Sequence, residues 1–190
     1  MQLSQRRMMS IVRPLYVDCN QATAIAGPFG VVLWRGETTP AAVTRVRQMG
    51  LATIQQSQCA VGLIGIVENT AKVPDPECRR LSAKVNDELV NSGAVGLAAV
   101  IPGSGFSGAW IRGVVTALHL MARHRYPFRA LQSTTQACGW LAALIGESSL
   151  NWQKYADAIE EFRSEYAGAW TRELYDTPQG QEIAAEVIRE

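Results

Sequence analysis

The hydrophobic positions of this chain change period as it advances, and each change marks an element. "SIVRPLYV" at 10–17 is rich in β-formers, "DCNQ" at 18–21 has turn chemistry, and "FGVVLWRG" at 29–36 reads as a second strand that pairs with the first as a hairpin. "TTP" then opens a helix with Thr39 as N-cap and Pro40 at its first position, running to about residue 55. The unbroken apolar run "AVGLIGIVE" at 60–68 suits a strand covered on both faces. A helix starts near residues 75 and 76 and stops at Gly93, with Cys78, Leu81, Val85 and Leu89 forming one stripe. "AVGLAAVI" at 94–101 is a further strand, followed by a small-residue loop, a helix over 106–124, a short strand at 128–133, and a helix capped by Ser133 or Thr134.

The order is β β α β α β α β α. Strands alternating with helices of this length imply an α/β fold, a mainly parallel β-sheet with helices on both faces and one antiparallel edge. Residues 1–147 make up this domain. Residues 148–190 form a C-terminal amphipathic helical tail, in which Trp152, Tyr155, Ile159, Phe162, Tyr166 and Trp170 recur every three or four positions. The tail carries nine acidic and four basic residues, a balance of −5, which leaves +6 on 1–147 out of the total of +1. Such a stripe has to be buried, either in cis as a cap on the sheet's helical layer or in trans. The expectation is a homodimer with those six residues at the interface.

Composition narrows the function classes. A net charge of +1 speaks against nucleic acid as a partner. No apolar run is long enough to span a membrane, and Arg6 and Arg7 are followed by no apolar signal core. The four cysteines, Cys19, Cys59, Cys78 and Cys138, are scattered without a C-x-x-C pair, which points to free thiols in a reducing cytoplasm, with Cys78 and Cys138 buried. His119 and His124 are five residues apart and fall on different helix faces, so no metal site is expected, and no cofactor.

The stretch with most chemical suggestion is "PGSGFSGAWIR". Gly103 and Gly105 would let backbone N–H groups approach an anion, while Ser104 and Ser107 offer hydroxyls at a helix start. The same residues also make a sharp strand-to-helix turn with Ser104 as cap. No G-K-[ST] follows, and the spacing is not G-x-G-x-x-G, so neither a P-loop nor a dinucleotide fingerprint is present. Arg112 stands among Ala109, Trp110, Ile111, Val114 and Val115, where a guanidinium needs a partner: a carboxylate, carbonyls or a bound anion. Gly103, Ser104, Gly105, Phe106, Ser107 and Arg112 are therefore the candidate ligand- or partner-binding residues. No catalytic set stands out.

Three stretches, "LWRGETTP", "PDPECRRL" and the segment from "GSGFSG" to "CGWL", resemble the SpoIIAA-like (STAS/SEC14-type) domain proteins of bacteria. The matching positions are Trp34 and Gly36; Pro74, Pro76 and Arg79; Gly103, Gly105, Phe106 and Arg112; and Trp140 and Leu141, within residues 11–145. The resemblance implies a non-enzymatic, cytoplasmic regulatory or protein-interaction module with a protein partner. The alternative is a small-ligand or lipid-binding domain with a pocket near Phe106 and Arg112. The chain departs from the D-S-S-G pattern of the anti-sigma-factor antagonists of this fold, since the corresponding "VPDPE" has no serine to phosphorylate.

Overall fold

The structure, a computed structural model, describes residues 11–102 and 126–169, the last three of these by backbone alone. The elements are β1 (Val12–Val17), β2 (Gln21–Ala26), β3 (Phe29–Trp34), α1 (Pro40–Gln56), β4 (Val61–Val67), α2 (Pro76–Asn91), β5 (Ala94–Val100), β6 (Phe128–Leu131), α3 (Thr134–Ile145) and α4 (Trp152–Ala169). They form an α/β structure around one mixed sheet in the order β1-β2-β3-β4-β5-β6. The β1–β2 and β2–β3 ladders are antiparallel, and those from β3 to β6 are parallel. The parallel majority and the antiparallel edge follow the reading of the sequence.

The helix starts follow it too. The Thr39 side chain accepts from Ala42 N and Pro40 opens α1. Asp75 caps α2 through Cys78 N at 2.7 Å, and Ser133 caps α3 through Gln136 N. Each side-chain oxygen satisfies a backbone donor that the first helical turn leaves without an acceptor. Gly93, at φ 128°, lies just past the end of α2, where other residues are strained.

The antiparallel edge needs a correction. Residues 10–17 and 29–36 do not pair; β2 lies between them and pairs with both. "QATAIA" carries little β signal, because only Ile25 is a large β-former. Its alanines answer to packing instead: Ala22, Ala24 and Ala26 are fully buried in the core that contains α4. The turn into β3 falls at Gly27–Pro28, with Gly27 at φ 57°. Tyr155 of α4 lies so close to Gly27 that a Cβ there would overlap its ring.

Two cores flank the sheet. On one face Phe29, Val31, Leu33, Ile64, Ile66, Ala98 and Val100 meet α3 and α4. On the other, Leu63, Ala94 and Leu97 meet Val43 of α1 and Val85 and Leu89 of α2. β4 is covered on both faces, as its unbroken apolar run predicts. The aromatic stripe of α4 is used within the chain. Ile159, Phe162 and Tyr166 are buried in the sheet core, Trp152 and Tyr155 pack at its margin, and Trp170 lies outside the described residues. Of the two homes weighed for the stripe, the described positions occupy the one in cis, where they share a core with the sheet.

Candidate functional site

The parallel strands bring two adjacent rows of side chains to the α1–α2 face, each interrupted by a glycine. Gly30, Leu63 and Leu97 are in register across β3, β4 and β5, and Val32, Gly65 and Ala99 form the next row. Trp34 and Val67 follow at the strand ends. At Gly65, between Val32 and Ala99, no side chain rises from the sheet and its surface dips. A Cβ on Gly65 would meet nothing nearer than Val32 Cγ1 at 3.8 Å and Trp34 Nε1 at 4.0 Å.

That dip is the floor of a pocket of about 220 Å3. Gly30, Val32, Leu63, Gly65, Leu97 and Ala99 line the floor; Val43, Val46 and Met49 of α1 line one wall. Thr38, Lys72, Pro74, Ser82 and Asn86 bring its polar atoms. Lys72 is exposed and lies 3.5 Å from Glu37. Asn86 hydrogen-bonds Tyr126, whose phenol is pushed up to about 12, chiefly by burial. An apolar hollow with few polar groups is how proteins hold small molecules.

The same sheet end carries a polar cluster on its α4 side. Arg163 of α4 grips Glu68, just past β4, through Nε–Oε1 at 2.6 Å and Nη2–Oε2 at 3.1 Å. Its Nη1 donates to Glu160 Oε2 at 3.0 Å, and the buried Thr134 hydroxyl donates to Glu160 Oε1. The Glu68 fork holds the Arg163 guanidinium well above its ordinary pKa. Arg35, one residue past β3, is 5% exposed beside this cluster. Burial pulls its pKa down to about 10 against the opposing pull of Glu68 and Asp18. Asp18 is buried as well, accepting from Tyr16 Oη at 2.8 Å, from the backbone N–H groups of Asn20 and Gln21, and from Arg45 at 3.3 Å.

Gly103, Ser104, Gly105, Phe106, Ser107 and Arg112 all lie outside the described residues, as do both histidines. Among the motif positions of the resemblance, Trp34 and Pro74 line the pocket. Gly36 donates to Asn20 O at 3.1 Å, and Arg79 Nη1 donates to Pro74 O at 3.0 Å. Leu141 is buried over Gly62, and Arg129 stands 5.8 Å above the Trp140 ring. Among the described residues no group of three or more His, Cys, Asp or Glu is placed to hold a metal. No described helix is long and apolar enough to cross a membrane.

Sequence reasoning missed Gly65 and Arg35. The signal for Arg35 is the period of two through Phe29, Val31 and Leu33, all buried on the α3–α4 face, which brings position 35 next onto that face. Comparison with protein-family models, with curated proteins and with solved structures finds no match for this chain.

Proposed function

We propose that the chain is a binding protein for a small, largely apolar molecule held between β3–β5 and helices α1 and α2. The observation that carries this reading is the 220 Å3 hollow over Gly65, lined on nearly every side by apolar atoms. A dry apolar cavity of about 150 Å3 takes up benzene, so this one suits a ligand of roughly ten non-hydrogen atoms. The Trp34 indole N–H beside the floor can donate to an acceptor on the ligand, such as the oxygen of a short-chain alcohol, ketone or phenol.

This is the ligand-binding alternative drawn from the sequence, placed on different residues from Phe106 and Arg112. The reading as a protein-interaction module rests on the resemblance. The exposed large hydrophobics among the described residues are Val73 and Leu144, two isolated side chains rather than a patch. The SpoIIAA-like assignment rests on the short motifs around Trp34, Pro74 and Trp140, and the mixed sheet with helices on both faces is in keeping with it. Four free cysteines support a reducing compartment, the cytoplasm.

Thermal-shift titration of the full chain with p-xylene, indole and 1-octanol, beside native mass spectrometry of freshly purified protein, tests the reading. At least one compound should raise the Tm in a saturable way, and Gly65→Leu, which fills the floor, should abolish that response. If no compound shifts the wild type and no small molecule co-purifies, the binding function fails.

A further inference from the structure

All three guanidinium nitrogens of Arg35 are buried, and none has a hydrogen-bond partner among the described residues. The acids around it are already committed. Both oxygens of Glu68 are held by Arg163, and those of Glu160 by Arg163 and Thr134. Asp18 spends one oxygen on two backbone N–H groups and the other on Tyr16 and Arg45. A desolvated guanidinium has five donors and no way to satisfy them from itself, and burying them bare is among the costlier arrangements a fold can hold. Its place is the carboxyl end of the parallel strands, beside the Glu68 that follows β4, where α/β sheets take up ligands.

We propose that Arg35 anchors an oxyanion site at this sheet end, accepting a phosphate or carboxylate group through its planar fork. That fork matches both anions in bidentate geometry. Arg163 and Thr134 keep Glu68 and Glu160 occupied, so an arriving anion meets Arg35 without displacing a carboxylate from it. The site is independent of the apolar pocket. Trp34 lines that pocket on one face of β3, and Arg35 belongs with the cluster under α4 on the other.

The test uses the full chain in sodium phosphate, sodium acetate and sodium chloride at matched ionic strength, reading Tm and the Arg35 Nε–Hε resonance. Phosphate, acetate or both should raise the Tm above chloride in a saturable way and move that resonance. A response to phosphate alone assigns a phosphoryl ligand, and a response to acetate alone a carboxylate. Arg35→Met keeps the packing of the stem and should remove the response. Arg35→Lys should weaken it about tenfold, since it loses the fork. Gly65→Leu should leave it intact, which separates failure of this site from failure of the pocket. If Arg35→Met does not fold, the wild-type resonance decides, and a resonance indifferent to both anions overturns the proposal. An equal anion response in folded Arg35→Met also overturns it.

Discussion

Arg163 and Glu68 are joined by two parallel hydrogen bonds of 2.6 and 3.1 Å, although one sits on α4 and the other just past β4. The pair is mostly buried, with 24% and 15% of the side chains exposed, and it ties the last described helix to the centre of the sheet. Removing either partner leaves a charge in a desolvated place, but the two removals are not equivalent. Arg163→Met frees Glu68 to turn toward Arg35, whereas Glu68→Gln leaves Arg35 and Arg163 facing each other. Glu68→Gln should therefore cost about 3 kcal/mol and Arg163→Met about half of that. Urea denaturation of both variants and of the double variant checks the order, and the reverse order would show that Arg35 does not feel Glu68.

The glycines of β4 make opposite predictions. At Gly62 a Cβ would lie 2.9 Å from Leu141 Cδ1 and 3.0 Å from its Cβ, in the core under α3. At Gly65 it would stand in the pocket at ordinary contact distance. Gly62→Ala should destabilise by about 1–3 kcal/mol through overpacking, and Gly65→Ala should be neutral or slightly stabilising. Thermal melts of the two single variants decide it, and equal losses would mean that the hollow over Gly65 is filled in solution.

These positions show what the sequence makes legible and what it does not. Caps are local, so Thr39, Asp75 and Ser133 could be read from two or three neighbours each. Strand β2 could not be read that way, because Ala22, Ala24 and Ala26 are small for the sake of α4, more than a hundred residues later. The hollow over Gly65 depends on register: Val32 and Ala99 flank it only because Val32 pairs with Gly65 and Gly65 with Ala99. Arg35 looks like an ordinary polar strand end until Arg163 and Tyr166 of α4 close over the Glu68 side of the sheet. The local signals yielded the elements, and the site depends on long-range pairings that no local window contains.

Gly27→Ala tests the contact between the β2–β3 turn and α4. The residue sits at φ 57°, where a side chain is strained, and Tyr155 fills the space a Cβ would need. Tyr155 is fixed in turn edge-on to Phe29, with ring centroids 5.8 Å apart. A loss of about 2 kcal/mol or more is expected, partly restored when Tyr155→Leu is added to make room. If Tyr155→Leu restores nothing, backbone strain alone accounts for the loss.

The cysteines should divide by burial. Cys78 and Cys138 are fully buried, Cys19 and Cys59 half-buried, so a thiol reagent at pH 8 should modify the second pair first and the first pair only on unfolding. Burial pushes the Cys138 thiol from 9.0 up to about 12. The folded value is the raised one, so its contribution is whole below pH 9 and is lost as pH climbs toward 12. By pH 10 the loss should be about 1 kcal/mol. Denaturation at pH 8 and pH 10 should show this decline, and Cys138→Ala should flatten it; a decline unchanged in that variant assigns it to another group.

The stripe on α4 decides what a dimer of this chain can be. Ile159 is fully buried, and Phe162 and Tyr166 nearly so, in the core that also holds Phe29, Leu33 and Ile66. These three side chains could join a two-fold contact only by leaving this core. Ile159→Asp would place a carboxylate among the apolar side chains of this core, at a cost of several kcal/mol, comparable to the whole stability of many domains. It should therefore unfold the chain and leave no folded monomer. Removal of residues 148–190 should expose Phe29 and Ala24 and yield aggregated protein. Light scattering and circular dichroism on the full chain and both variants check this. If Ile159→Asp is folded and smaller than the wild type, the stripe is an interface after all, and the helix exchanges between its own sheet and that of a second copy.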